Sequence, residues 1–268
     1  MDINNILLIG AGKMGSAMVS GWVTNGLEPA KIMILDPMPN PDLDVSGLSL
    51  NPAMNDIAAR QPDIVVLAVK PQMASDVITE MREILPSDSL VLSIMAGLSL
   101  ERIGHLTGLS AIVRTMPNTP ASLGAGASVL IASAAVSERQ KSQANALMSA
   151  IGTTAWIDNE GLMDAVTAIS GSGPAYVFHF VEALAEAGEK LGLDSALAMS
   201  LARQTVAGAG RMLGELETSA AELRENVTSP NGTTQAGLEV LMQPDALSLL
   251  LEKTAAAAAQ RSQNLSEE

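Results

Sequence analysis

Cysteine is absent from the 268 residues, which excludes disulfides, thiolate metal sites and cysteine nucleophiles. Histidine occurs only at His105 and His179, far apart in the chain. A packing or surface role is expected for each, and no metal centre is expected. Aromatic side chains are nearly missing: Trp22, Trp156, Tyr176, Phe178 and Phe180 complete the set. Stacking of bases on aromatic platforms therefore has little to work with. A formal net charge of −14 also opposes binding to nucleic acid or to anionic lipid. Long apolar runs are lacking too. The stretch Asp63–Val69 is far too short to span a bilayer, and the alanine-rich Thr254–Gln260 tract ends in Arg261 and polar residues. The N-terminal segment has no charged region followed by a long apolar one, so cytoplasm is the expected location.

What is present suits a soluble enzyme of one or two compact units. Hydrophobic residues make up 47% of the chain, and fifteen methionines help aliphatic side chains fill the core that aromatics cannot. Near the N-terminus, the apolar run Asn4–Ile9 leads into Gly10-Ala11-Gly12-Lys13-Met14-Gly15, followed by a helical pattern through Trp22. A G-x-G-x-x-G between strand and helix is the context in which the pattern signals a dinucleotide site, although the bland alternative is a merely tight strand–helix turn. Gly10 permits the turn, Gly12 lets a pyrophosphate approach, and Gly15 allows close helix–strand packing. A second strand, Lys31–Leu35, ends at Asp36, where a ribose-binding acid is expected.

Strands and helices alternate over the first 160 or so residues. Asp36–Leu50 reads as loop and Pro52–Arg60 as a short helix. Asp63–Val69 reads as a buried strand, and Pro71 opens a helix to about Ile84. Ser89–Ile94 and Ala111–Met116 read as strands around a helix at Ser99–Leu106. Ala127–Ala132 and Thr153–Ile157 flank a helix from Ser137 to about Ala150. This order predicts a mostly parallel sheet covered by helices, an α/β Rossmann-like dinucleotide-binding domain over residues 1–160. From Gly161 the pattern is helical throughout, predicting an all-α domain over 161–268. Pro174–Leu191 is closed by Gly192, Asp194 caps a helix to about Leu213, and Ser219-Ala-Ala-Glu222 has capping-box spacing. The last helix starts near Pro244–Asp245. Gly208, Gly210 and the Ala255–Ala259 run are small and apolar, so this tail is expected to pack against a second subunit, with folding back on its own first domain as the alternative. Gly171-Ser-Gly-Pro174 interrupts the pattern, if only as a helix kink.

In an open parallel sheet, ligands bind beyond the carboxyl ends of the strands. The loops Ala68-Val69-Lys70-Pro71, Ser93–Gly97 and Thr115–Pro120 would share that edge with Gly10–Gly15. Candidate cofactor residues are accordingly Ile9 to Gly15 and Asp36, with Ala68, Val69, Lys70, Pro71, Ala96, Gly97 and Asn118. Lys70 is placed near nicotinamide or phosphate, unless it is an ordinary solvated lysine. A second site is legible at Val227–Leu241. Pro230-Asn231-Gly232 reads as a tight turn and Thr233 as the start of a helix, whose unpaired N–H groups and dipole would face a small anion. Ser229, Thr233 and Thr234 add hydroxyls, so a carboxylate fits without lysine or arginine. An ordinary capped turn is the alternative.

Together these motifs resemble the pyrroline-5-carboxylate reductases. The matching pieces are Gly10-Ala-Gly-Lys-Met-Gly15, Ala68-Val-Lys-Pro71, Met116-Pro-Asn-Thr119, Ser170-Gly-Ser-Gly-Pro174 and Thr228-Ser-Pro-Asn-Gly-Thr-Thr234. The resemblance spans nearly the whole chain. It implies NAD(P)H-dependent reduction of the cyclic imine 1-pyrroline-5-carboxylate to proline, the last step of proline biosynthesis. It also implies a homodimer with interlocked helical domains, often assembled into a decamer, with 161–268 serving dimerisation and substrate binding. Carried over residue by residue, Thr234 contacts the imine nitrogen, and amides around Ser229, Gly232 and Thr233 hold the carboxylate. Asn55, Ala68, Lys70 and Pro71 become cofactor contacts. Many members favour NADPH and carry hydroxylated or basic residues after the second strand. Asp36–Asp44 holds no lysine or arginine, so NADH is predicted to serve at least as well. A β-hydroxyacid dehydrogenase would place a lysine where Val177 stands here, which argues against alcohol oxidation. A non-catalytic nucleotide-binding protein is the other alternative, and the intact threonine-rich loop weighs against it.

Overall fold

The computed structural model describes residues 3–267. Four short runs, Ile6–Ile9 (β1), Ile32–Leu35 (β2), Ile64–Leu67 (β4) and Leu90–Ser93 (β5), are apolar at nearly every position because helices cover both faces of the sheet they form. Ser49–Leu50 (β3), Ile112–Met116 (β6), Gly126–Ala132 (β7) and Gly152–Trp156 (β8) complete it. The strand order is β3-β2-β1-β4-β5-β6-β7-β8. The first six run parallel, β7 is antiparallel to β6, and β8 is parallel to β7. Order reverses between β1 and β4, where Ile9 stands level with Leu67 on one side and Leu35 on the other. That is the switch point of a doubly wound fold.

Alternate residues of each strand feed separate cores. Leu8, Ile34, Val66 and Leu92 pack with Met18 and Trp22 of Lys13–Thr24 (α1) and with Leu147 and Met148 of Glu138–Ser149 (α5). Leu7, Ile9, Val65 and Val91 pack against Met54–Arg60 (α2), Pro71–Met81 (α3) and Leu100–Thr107 (α4) through Ile57, Ile78 and Ile103. Trp22, wholly buried, donates its indole N–H to the Leu147 carbonyl at 2.9 Å, so its one polar atom is satisfied inside the apolar layer. Arg114 on β6, itself buried, pairs with Glu160 at 2.9 Å, and the same carboxylate oxygen accepts the Leu100 N–H at 2.8 Å. The charge therefore enters the sheet with its partner.

The segment Asp36–Leu50, expected as loop, ends in the two-residue β3, too short to show a period; Asn51 N–H donates to the Ile34 carbonyl just beyond it. The Gly171–Pro174 interruption follows Met163–Val166 (α6) and a turn of π-helix at Thr167–Gly171. A Cβ on Gly171 would lie 2.7 Å from the Met116 methyl, the flexible end of a side chain.

Chain contacts define two units, one of Met1–Ser172 with Ala258–Glu268 and one of Gly173–Ala257. The second holds Gly173–Lys190 (α7), Ser195–Glu215 (α8), Ala220–Asn226 (α9), Thr233–Leu241 (α10) and the start of Leu247–Glu267 (α11). Small residues set the α7–α8 approach. Ala185, Ala198 and Ala202 are buried, and a Cβ on Gly188 would stand 3.3 Å from Ala198. Asp194 caps α8 through the N–H groups of Ala196 and Leu197, and Ser219 with Glu222 forms a reciprocal capping box on α9. Many large apolar side chains of this unit are exposed in the single chain, among them Phe178, Leu213, Val240 and Leu250. The end of α11 counts with the first unit, where Ser262 donates to Asp164 at 2.6 Å, so the chain's last turns do fold back on that unit. Among the described residues, no helix is long and apolar enough to cross a membrane.

Candidate active site

Gly10 leaves β1 with φ +96, a backbone region that glycine alone adopts without strain, and its missing Cβ is also required because that atom would lie 2.7 Å from the Ala68 carbonyl group. This close approach sets the loop after β1 against the loop after β4. Gly15 is constrained in the same way, since a Cβ there would overlap the Gly10 carbonyl oxygen.

Gly12 differs from both. Its φ of −67 and ψ of −164 suit any residue, and nothing lies within 4 Å of where its Cβ would be. Neither conformation nor packing calls for glycine at Gly12. The open space lies at the N-terminus of α1, which no side chain caps. An uncapped helix start presents N–H groups and positive potential, and a bare Cα in front lets a phosphate reach them. The residues present therefore fit a dinucleotide pyrophosphate.

Asp36 stands one residue past β2. Its Oδ2 accepts the Ala11 N–H at 2.6 Å and its Oδ1 accepts the Met38 N–H at 2.8 Å. The glycine loop is held from the other side by Asn40, whose N–H donates to the Ala11 carbonyl at 2.8 Å, and by Ser16, whose hydroxyl donates to the same oxygen at 2.7 Å. Farther along the segment after β2, hydrogen bonds from the Ser46 backbone and side chain hold the Asp44 carboxyl below the usual carboxylate range.

The remaining expected cofactor residues fall at the same edge of the sheet because β1 to β6 all run in one direction. Asn55 lies exposed in the first turn of α2. Ala68 and Val69 are half-buried after β4, and exposed Lys70 precedes Pro71, which opens α3 at its first position. Ala96 and Gly97 follow β5, with Gly97 at φ +77. Exposed Lys13 and half-buried Met14 open α1, whereas the side chain of Ile9 is consumed by the core. Asn118 follows β6, and its amide ties neighbouring loops together. Oδ1 accepts the Ala127 N–H at 2.8 Å, and Nδ2 donates to the carbonyl and hydroxyl of Ser170 at 3.3 Å. Asn51 and Ser170, which fix Asp36 and Asn118, were not among the expected site residues. For Asn51, the signal would have been an asparagine before proline at the end of a short apolar segment.

In the helical unit, Asn231 takes φ +58, and its N–H donates to Gln235 at 2.8 Å. The Gly232 N–H closes the turn onto the Ser229 carbonyl at 3.0 Å, so this amide is spent inside the turn. A Cβ on Gly232 would collide with the Ser229 hydroxyl. No side chain caps α10, and Thr233 and Thr234 occupy its exposed first turn. The first-turn amides can receive an anion, and Ser229, Thr233 and Thr234 bring hydroxyls to the same segment. His105 and His179 lie at the surface beside Glu101 and Glu182.

Residues 5–97 match the family described as NADP oxidoreductase, coenzyme F420-dependent, and residues 160–265 match pyrroline-5-carboxylate reductase dimerisation. Fold, glycine loop and helical segment together define a Rossmann-type dinucleotide-dependent oxidoreductase whose helical segment matches a dimerisation domain. The pyrroline-5-carboxylate reductase of Pseudomonas aeruginosa is 41% identical over 100% of this chain and 99% of its own length. The structure of a pyrroline-5-carboxylate reductase from Coxiella burnetii has a TM-score of 0.89 at 39% identity, covering 99% of both chains. That of the Plasmodium falciparum pyrroline carboxylate reductase, with NADP bound, has a TM-score of 0.82 at 30% identity over 99% of this chain and 98% of the other. The chain belongs to the pyrroline-5-carboxylate reductase family.

Proposed function

We infer that this chain reduces 1-pyrroline-5-carboxylate to L-proline with a nicotinamide cofactor, as the last step of proline biosynthesis. The observation that carries the inference is the uncapped, threonine-rich start of α10, which suits a carboxylate, in a chain whose Gly12 also leaves open space that suits a pyrophosphate. When bound, the reduced nicotinamide supplies a hydride to the imine carbon. The protein's task is to hold two planar rings in contact and to manage charge. The N–H groups of Thr233 and Thr234, with the Ser229 hydroxyl, fix the substrate carboxylate. Gly232 keeps the turn tight enough to aim them. The Thr234 hydroxyl meets the imine nitrogen, where the electron pair of the broken C=N π bond collects. That nitrogen gains a proton either by entering as the iminium or from water, since no strong acid stands in these motifs.

Residues 1–160 serve as the cofactor domain, with Ile9 to Gly15, Asp36, Asn55, Ala68 to Pro71, Ala96, Gly97 and Asn118 forming or shaping the nucleotide site. For Ile9 that contribution comes through its backbone, and for Asn118 through the loops it ties. Residues 161–268 serve dimerisation and substrate binding. The exposed apolar side chains there support a homodimer, assembled further into a decamer as the family resemblance implies, and the cytoplasm is the location that fits. NADH serves at least as well as NADPH, because the Asp36 carboxylate stands where a 2′-phosphate would need a cation.

The test is direct. The purified chain is given 1-pyrroline-5-carboxylate with NADH or NADPH, and nucleotide oxidation and proline are both measured. Proline should form with both, and Asp36→Ser should move the efficiency ratio toward NADPH. No proline with either nucleotide overturns the assignment. A strong NADPH preference that Asp36→Ser leaves unchanged overturns the placing of Asp36.

A further inference from the structure

We propose that Asn51 is a positioning residue that holds Asp36 against the nucleotide ribose and thereby sets the choice between NADH and NADPH. The proposal rests on the reading above that Asp36 faces the ribose.

Asn51 sits just past β3 at φ +46, a left-handed conformation that asparagine tolerates better than most residues. Its backbone N–H donates to Ile34 at 2.7 Å. Its side-chain amide then acts like one more strand residue toward Asp36: Oδ1 accepts the Asp36 N–H and Nδ2 donates to the Asp36 carbonyl, both at 2.9 Å. The backbone of Asp36 is thus closed in a two-hydrogen-bond ring, while its carboxylate is anchored separately on the Ala11 and Met38 amides.

The consequence for discrimination is specific. Each carboxylate oxygen has used one acceptor position, and a carboxylate offers about four in all, so one on each remains for the ribose 2′- and 3′-hydroxyls. Ala11 is fully buried, so rotating Asp36 away would strand its N–H. That cost favours the held carboxylate by about 5- to 150-fold. A 2′-phosphate cannot displace a carboxylate held in this way, and Asp36–Asp44 supplies no cation to offset the repulsion. Without Asn51, Asp36 loses the backbone ring that keeps both anchors in register. The carboxylate can then retreat as a unit with its loop, and the ribose hydroxyls lose a fixed acceptor.

Asn51→Gly is the informative variant because glycine adopts φ +46 without strain and removes only the side chain. Binding of NADH and of NADPH is measured separately by calorimetry on the full-length protein, alongside melting temperature and steady-state kinetics. NADH affinity should fall about 2- to 12-fold, the effect of one or two modest hydrogen bonds, while NADPH affinity stays level or improves. In turnover the change should fall on the KM for NADH and not on kcat. Equal weakening of both nucleotides would show a merely structural role, and unchanged binding would show none; either result overturns the proposal. These outcomes are read as binding, so they stand apart from whether the imine is reduced. If Asp36→Ser also leaves the ratio of affinities unchanged, it is the placing of Asp36 that has failed.

Discussion

Gly12 and Gly15 lie in one loop, and the structure gives them opposite reasons to be glycine. Alanine at Gly15 drives a methyl into the Gly10 carbonyl, with the carbonyl carbon 3.2 Å away, and backbone cannot yield as the tip of a side chain can. Overpacking of this kind costs about 1–3 kcal/mol. In a domain of this size, that lowers Tm by about 2–12 °C. Alanine at Gly12 meets nothing within 4 Å and keeps an ordinary backbone conformation. Tm should hold, or rise by about 1–4 °C because alanine narrows the unfolded ensemble. The new methyl stands instead where a phosphate must pass to reach the α1 amides. Losing one charge-assisted hydrogen bond there costs about 1.5–3 kcal/mol, or about 10- to 150-fold in Kd. Thermal melts and calorimetric titration with NADH, run on both variants, separate the two effects. If Gly12→Ala binds nucleotide like the parent while Gly15→Ala melts like the parent, the cradle argument is refuted.

Thr234→Ala should cost about 1–3 kcal/mol in a desolvated site, which is about 5- to 150-fold in kcat/KM, and Thr234→Val, which keeps the shape, should be similarly impaired. Parent rates in both folded variants would remove Thr234 from the chemistry. Light scattering should show a dimer or larger, with the 228–234 loop of one chain completing the site of another; an active, stable monomer at micromolar concentration would contradict this. The Ser219 side chain and backbone hold the Glu222 carboxyl below its usual pKa. A depressed folded-state pKa means that this contribution to α9 is complete above the ordinary glutamate value of about 4.3 and is lost as pH falls through the lower one. NMR titration should show Glu222 returning toward the ordinary value in Ser219→Ala.

Much of this architecture is legible before any coordinate. The runs at Ile6–Ile9 and Ile64–Leu67 are too uniformly apolar for a one-sided surface, and the caps at Asp194 and Ser219 announce their helices through side chains that reach only two or three residues on. What stays hidden depends on longer range or on too few residues. Apolar patterning carries no direction, so nothing in Gly126–Ala132 says that it runs against β6. Ser49–Leu50 is too short to show a period. The Arg114–Glu160 pair joins residues 46 apart, and the turn of α11 back toward Asp164 spans 98. Within the site, the glycine loop and Asp36 stand out because their roles are local. The Asn51 tether does not, because it acts on a residue 15 positions away across a loop of proline, aspartate and glycine. Asn118, expected among the cofactor residues, has its side-chain amide bonded to Ala127 and Ser170, partners that only the folded chain brings near.

The reversal at β7 divides the sheet into two provinces with different freedom to change. Strands β1 to β6 all deliver their following loops to one edge, the edge that carries the expected cofactor residues. Because β7 runs the other way and β8 follows it, the turn at Ser133–Val136 and the exit from Trp156 open on the opposite edge. The turn at Ser133–Val136 bears on the sheet's far flank, whereas the exit from Trp156 leads on to Glu160, which holds Arg114. Substitutions or short insertions at Ser133–Val136 should be borne with little penalty to turnover, whereas a single added residue between Ile9 and Lys13 should abolish nucleotide binding. A lineage drifting under selection for activity alone would accumulate its differences at the far edge first.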